Sequence, residues 1–357
     1  MATSFKTLNP NTDITNTRTK LHESIPLTGT IVSGTYGTFP DELNIKNYTH
    51  GMFQSVYDYP FLSSSANHIF DITAGWVTDS LLSGSLVLNM RNQKNDIYNE
   101  MSQILAGYDS TGSINRLNVS GNFTSGIAAD NMNEVFVINF ARLLTKDEIQ
   151  KQADGFTMIL GVSASYANPF AKTLTVYDKD GPNAYKTNSP AGEFNILYGT
   201  GSGFPGSSPK PCGLVFYQAG VALVTASVFQ STFVEECEMT TAGLLPLPLL
   251  VSSSISGACD AFRHRIQNIS FNNTTELNST IYFCRINNGD FNFSSNPTYL
   301  SASKMRVKEV AADNPVSYIT TVGLYSEDNA LLSVAKLSEP LKKTPAGELI
   351  LRVRNDY

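Results

Sequence analysis

The sequence predicts a mainly β protein, a β-rich α+β fold of antiparallel sheets in sandwich-like lobes with two short amphipathic helices. Three observations predict it. Short runs rich in Val, Ile, Phe and Tyr recur between clusters of Gly, Asn, Asp and Ser, which supply turns. Helical periodicity or capping chemistry marks only two stretches. Charged residues make up 16% of the 357 positions, against roughly 25% in an average soluble domain. The polar faces are therefore built from Ser, Thr and Asn, which suits a subunit whose surfaces meet neighbours, because a charge buried at a contact is costly unless paired.

Residues 1–20 are polar, with Phe5, Leu8 and Ile14 as their main apolar side chains, and predict an extended N-terminal arm able to lie along a neighbour. A β-rich lobe is expected over 21–155, opening with a strand at 25–32. Residues 48–61 concentrate Tyr48, Phe53, Tyr57, Tyr59 and Phe61. Such large, stiff rings are enriched in interface cores, so these five and Phe5 are the candidate interface residues; a local core under an irregular loop is the alternative. His50 and His68 lie nearby but lack metal-ligand spacing. In 96–106, Ile97, Met101, Ile104 and Leu105 gather on one helical face, with Gly107 placed to end the helix. A buried strand at 134–140 then leads to a second helix, expected to start at Thr145, where Thr145 and Glu148 form a capping box.

The second lobe, 156–357, is expected to be antiparallel β throughout, although the two lobes could form one unit. Strands are expected at 156–162, 173–177 and 184–187. The link 178–183 has the D-x-D-G-x-N opening of a calcium loop, but Ser189 stands where the twelfth-position glutamate is needed. A tight turn is the reading, with a weak calcium site left open. The Gly/Ser/Pro-rich stretch 192–211 lacks the G-K-[ST] ending of a phosphate loop and reads as a surface loop. Hairpins are expected for 214–217 with 221–225, for 280–285 with 290–293 over Asn287-Asn-Gly-Asp290, and for 318–325 with 331–337 over Ser326-Glu-Asp-Asn329. The apolar segment 244–251 holds two prolines and cannot be a regular helix or central strand. Residues 262–266, with two arginines and a histidine, read as a strand or solvated face. A last strand is expected at 348–353.

The formal net charge of −6 and the lack of any basic run beyond Lys342-Lys343 argue against nucleic acid as a partner. Cys212, Cys237, Cys259 and Cys284 have neither zinc nor redox spacing, and without a leader or an apolar run near 18 residues they are expected to be free thiols. The same absences predict no membrane partner. The eight N-x-[ST] sites follow from a Ser/Thr/Asn-rich composition and are expected to be unmodified. No G-x-S-x-G elbow, paired carboxylates or positioned histidine emerges, so neither enzyme activity nor a cofactor is expected.

Several stretches resemble one family: Arg18-Thr-Lys-Leu-His-Glu-Ser-Ile-Pro-Leu-Thr-Gly-Thr-Ile31, Asn44-Ile-Lys-Asn-Tyr-Thr-His-Gly-Met-Phe-Gln-Ser-Val-Tyr-Asp-Tyr-Pro60, Ser63-Ser-Ser-Ala-Asn-His-Ile-Phe-Asp-Ile-Thr73, Asn188-Ser-Pro-Ala-Gly-Glu193, Asn292-Phe-Ser-Ser-Asn-Pro297, Ser317-Tyr-Ile-Thr-Thr-Val-Gly-Leu-Tyr325, Val334-Ala-Lys-Leu-Ser338 and Leu351-Arg-Val-Arg354. They are similar to virion structural proteins of contractile-tailed (myovirus-type) bacteriophages, notably those infecting marine cyanobacteria. The resemblance covers most of the chain except 199–211 and 236–278. It implies a structural subunit of a virion, assembled in the host cytoplasm, whose partners are other virion proteins and copies of itself. A tail or baseplate position is expected first, with a neck or capsid-associated one as alternative. The rival from another class is a receptor-binding tail protein that recognises host-surface glycans; a single tryptophan, Trp76, for sugar stacking counts against it.

Overall fold

The structure is a computed structural model that describes residues 5–27, 44–58, 65–77, 88–163, 168–201, 209–229, 254–292, 300–301, 304–305 and 316–357, with the backbone alone for 88–91, 300–301 and 304–305. The expected Tyr59 and Phe61 interface residues, Cys237 and the proline-broken segment 244–251 lie outside the described residues.

The protein is mostly β and its large sheets are antiparallel. In chain order the elements are β1 (Ile14–Pro26), β2 (Ile45–Asn47), β3 (Gln54–Tyr57), β4 (His68–Trp76), α1 (Leu88–Leu105), β5 (Glu134–Phe140), α2 (Arg142–Thr145), β6 (Glu148–Ile149), β7 (Phe156–Gly161), β8 (Thr173–Asp178), β9 (Phe194–Gly201) and β10 (Lys210–Phe216). There follow β11 (Val221–Thr225), α3 (Ile255–Arg263), β12 (Ile266–Ile286), β13 (Leu300–Ser301), β14 (Lys304–Met305), β15 (Ser317–Tyr325), β16 (Leu331–Lys343) and β17 (Leu349–Asp356).

Two units make up the chain: a larger one, Leu21–Thr275, and a smaller one joining Met1–Lys20 to Glu276–Tyr357. The expected division near residue 155 is therefore corrected. Strand β5 lies before that point and β11 after it, yet they pair from Val221 with Asn139 to Thr225 with Val135. One sheet thus takes strands from both sides of 155, and no boundary can fall there.

In the larger unit the strands follow the order β12-β7-β8-β9-β10-β11-β5-β4-β3-β2. Its central strands read as unbroken apolar runs because both their faces are covered. Along β5, Phe136, Ile138 and Phe140 enter one apolar layer while Val135 and Val137 enter the other. The same alternation sends Val215 and Tyr217 one way, and Leu214 and Phe216 the other. Helix α3 covers the first layer: Phe262 stacks on Phe136 with centroids 4.3 Å apart and planes 9° from parallel, while Phe229 meets Phe262 edge-on at 5.9 Å. Ser254 caps this helix, its Oγ accepting from the Gly257 amide at 3.2 Å.

Helix α1 begins eight residues before the expected 96–106 segment and contributes Tyr98 and Leu105 to the second layer. Gly107 ends it in the left-handed conformation, as expected. Ile104, expected on the buried face, is 58% exposed. The face that faces inward runs through Tyr98, Ser102 and Leu105, with Ile97 beside it.

The expected capping box is also corrected. Thr145 is the last residue of the one-turn helix α2, and its amide donates to the Ala141 carbonyl at 3.2 Å. Glu148 lies in β6, opposite Thr274 of β12. Ile149 decides the matter: it is fully buried, with its amide bonded to the Tyr217 carbonyl at 2.9 Å. Strand partners on both sides outweigh a local helix signal, because burying an apolar side chain contributes about 1.5–3 kcal/mol, more than a cap at roughly 1 kcal/mol. Of the strand expected at 184–187, only Lys186 is paired, in a bridge to Phe194.

In the smaller unit, the second half of β12 pairs with β17 from Ser279 with Asp356 to Ile286 with Leu349. This replaces the expected hairpin of 280–285 with 290–293: residues 290–292 belong to no strand. The hairpin of β15 and β16 forms as expected, and β13 pairs with β14. The N-terminal arm is tied to its own chain. Lys6 donates to Asp290 at 2.5 Å, the Phe283 amide donates to the Asp13 carbonyl at 2.8 Å, and Arg285 holds the Asp13 carboxylate at 2.8 Å. The amide of Asn9 and the Arg285 guanidinium keep the Asp13 carboxyl below its usual range.

Candidate interaction surface

Two polar clusters in the larger unit carry the residue types of catalysis, and their geometry decides what each can do. The first lies across β3 and β4, where Ser55 stands opposite Asp71. The Ser55 hydroxyl donates to Asp71 Oδ1 at 2.5 Å, His68 Nε2 bonds the same oxygen at 2.8 Å, and the Tyr48 hydroxyl lies 3.2 Å from Ser55 Oγ. A nucleophilic serine needs the imidazole at its hydroxyl with the carboxylate behind. Here the carboxylate sits in the middle, so this arrangement organises the surrounding rings instead.

Those rings include three of the expected interface residues. Tyr48 packs on Phe53 at 4.8 Å and stacks on His50 at 5.2 Å, while Tyr57 lies 5.3 Å from the His68 ring. Tyr48 and Phe53 are half-buried and Tyr57 is buried, and burial raises the Tyr57 phenol. Only part of this group is therefore open to a partner.

The second cluster joins β6, β8, β9 and the end of β10. Asp178 is fully buried; its Oδ1 accepts from the Gly181 amide at 3.0 Å and from Asn195 Nδ2 at 2.9 Å, and its Oδ2 accepts from the Tyr217 hydroxyl at 2.5 Å. Burial pushes the Asp178 carboxyl up against the lowering effect of these donors, and the Tyr217 phenol up as well. Beside it Lys151 bridges Glu148, at 3.1 Å, and Glu193. Burial works against the Lys151 charge, but the two carboxylates outweigh it and hold the amine above its ordinary value. The carboxylate that opened the calcium-like motif is thus engaged with internal donors. No group of three or more His, Cys, Asp or Glu suited to a metal ion occurs among the described residues.

The described thiols do not add chemistry. Cys212 and Cys259 are buried and Cys284 half-buried, all free as expected, and burial pushes each thiol up, away from the reactive thiolate.

The smaller unit is different in kind. In β15 and β16 only Ser317 and Lys343 are buried, one at each strand's base. Lys343 pins that base, donating to the Asn288 carbonyl at 3.1 Å, Asn292 Oδ1 at 3.0 Å and the Thr344 carbonyl at 2.8 Å. At the other end Ser326 closes the turn: its amide donates to the Ala330 carbonyl at 2.9 Å, and Asn329 takes the left-handed conformation. Between them Tyr325, Leu331 and Val334 stand 47%, 53% and 54% exposed. Tyr325 and Leu331 lean over Gly323, which has no side chain to keep them apart. Phe5 meets Tyr325 edge-on at 5.0 Å. Phe5 thus joins an apolar patch on the ribbon tip, a patch that aromatic density at 48–61 did not point to. Its signal was present in the sequence as Leu331, Leu332 and Val334 directly after a turn.

No helix among the described residues is long and apolar enough to cross a membrane. Comparison of the chain with protein-family models, with curated proteins and with solved structures finds no match.

Proposed function

We propose that this chain is a non-enzymatic structural subunit of a tailed-phage particle, a tail or baseplate component that joins its neighbours through protein–protein contacts. A neck or capsid-associated position is the alternative. The observation that carries the reading is the β15–β16 ribbon with its tip patch of Phe5, Tyr325, Leu331 and Val334. A two-stranded ribbon is marginally stable by itself, and contiguous exposed apolar surface marks interaction sites. The likeness of the ribbon sequence and of the N-terminal segments to phage virion proteins supports the particle as its setting.

Glycan recognition is the second reading, favoured by the half-buried Tyr48 and Phe53 beside the exposed His50. Against it, Trp76 is fully buried and offers no face to a sugar.

Hydrogen exchange and limited proteolysis of the free chain and of purified particles test the proposal. Fast exchange over 317–343 and cleavage near 326–330 in the free chain, both suppressed in particles that contain the chain, are expected. A chain missing from particles by mass spectrometry, or a ribbon equally open in both states, refutes it.

A further inference from the structure

The two long edges of the ribbon are not equivalent. Strand β16 carries Lys336, Glu339 and Lys342, and Pro340, which has no amide hydrogen to donate. It also bulges: Ile319 faces Leu341 while Thr321 faces Lys336, so β16 spends three more residues than β15 over that span. Charges, proline and bulges are the usual devices that keep a strand edge from pairing with another chain. Strand β15, Ser317-Tyr-Ile-Thr-Thr-Val-Gly-Leu-Tyr325, has none of them. It has no charge and no proline, and among the described residues it pairs with β16 alone.

An unguarded edge of nine residues, about 30 Å long at roughly 3.4 Å per residue, is a template for another strand. Its composition selects the partner. Antiparallel pairing of β15 with the β15 of a second copy about a two-fold at Thr321 sets Thr320 opposite Val322, Ile319 opposite Gly323, Tyr318 opposite Leu324 and Ser317 opposite Tyr325. Thr–Thr, aromatic–aliphatic and β-branched pairs of this kind stabilise a sheet. Gly323, the weak point of the edge, is already covered by the Tyr325 ring. No register of this self-pairing brings like charges together, because the strand has none. We infer that β15 is a homotypic docking edge, through which two copies of this chain join their ribbons into a four-stranded antiparallel sheet.

This inference rests on the structural role proposed above, and the test separates the two. Thr320 and Thr321 are exposed and at the centre of the edge. Full-length chains carrying Thr320→Lys with Thr321→Lys, and Thr320→Asp with Thr321→Asp, are compared with the unchanged chain by light scattering, with thermal melts to confirm that each variant folds. The expected result is twice the 38.9 kDa chain mass for the unchanged protein, a single chain mass for either variant alone, and recovery of the double mass when the two variants are mixed. In an isologous contact the same patch meets itself, so only opposite charges restore it. An unchanged protein that is monomeric at tens of micromolar, a lysine variant that keeps the double mass, or a mixture that stays monomeric overturns the docking edge. Mass spectrometry of particles then reads the structural role separately: a chain that enters particles while its β15 edge fails these tests keeps that role and loses only the homotypic contact.

Discussion

Replacing Tyr217 by Phe tests whether the buried Asp178 is held ionised by its donors. The substitution removes one oxygen, keeps the ring in the core, and deletes the 2.5 Å bond to Asp178 Oδ2. The carboxylate retains the Gly181 amide and Asn195 Nδ2, both on its other oxygen. A hydrogen bond to a charged group contributes about 1.5–3 kcal/mol, and both partners are fully buried, so solvent does not screen it. We expect a loss of about 2 kcal/mol at pH 7, lowering the melting temperature by roughly 4–8 °C for a unit of this size.

The pH dependence makes the reasoning specific. The Tyr217 hydroxyl is one of the groups that lower the Asp178 pKa, which burial has raised above the ordinary carboxyl value of 3.8. Without it, the native state takes up the proton at higher pH, so acidification rescues the variant. The stability difference between wild type and Tyr217→Phe therefore shrinks as pH falls through the native titration of Asp178. Urea unfolding at pH 7 and near pH 4.5 measures it. A loss below about 0.5 kcal/mol at pH 7, or a loss that does not change with pH, refutes the account, since a bond of ordinary strength is worth more than that.

Three further outcomes follow from the same geometry. A methyl group at Gly75 would stand 2.9 Å from both the Lys94 carbonyl and the Tyr98 amide of α1, so Gly75→Ala should cost about 1–3 kcal/mol by forcing the helix off the sheet, read by chemical denaturation. On the alkaline side, burial lowers Lys94 from 10.5 to about 8, so the unfolded state binds more protons between those values and this group adds stability as pH rises. The buried Cys212 and Cys259 thiols oppose it from pH 9, and Tyr98, raised from 10 to about 12, with Tyr217, opposes it from pH 10. Each group shifts stability by about 1.4 kcal/mol per pH unit across its own window, so unfolding free energy should fall above pH 9 and more steeply above pH 10; a continued rise to pH 11 contradicts these assignments. Millimolar calcium should leave the melting temperature unchanged, because Asp178 already accepts from three internal donors; a rise of several degrees would show a site there.

What the sequence revealed depended on whether a segment's local pattern matched its final partners. Strand β5, β10 with β11, and the β15–β16 hairpin were legible because apolar runs met turn residues at their ends. Strand β1 was missed because it packs little against any core, and exposure leaves no apolar alternation; its trace was the threonine alternation at Thr15, Thr17 and Thr19. The Thr145–Glu148 capping signal was real local chemistry overruled by the burial of Ile149. Strand β12 hid its length because Asn272-Asn-Thr-Thr looks like a turn, yet Asn273 is buried there and its side chain donates to the Leu144 carbonyl at 2.7 Å. Of the exposed apolar patch, Phe5 stands out in the sequence, but the ring it meets, Tyr325, lies far along the chain and is found only in three dimensions.

The smaller unit takes its strands from widely separated parts of the sequence, since residues of β1 there meet β12, and β12 in turn meets β17. Synthesis at roughly 5–20 residues per second places the last of these strands on the order of 20–60 s after the first. Until β17 emerges, the stretch of β12 from Ser279 to Ile286 lacks its β17 partner, and the sheet to which residues 5–20 belong is incomplete. The smaller unit therefore closes late in synthesis, since its first strand waits for its last before the sheet is complete.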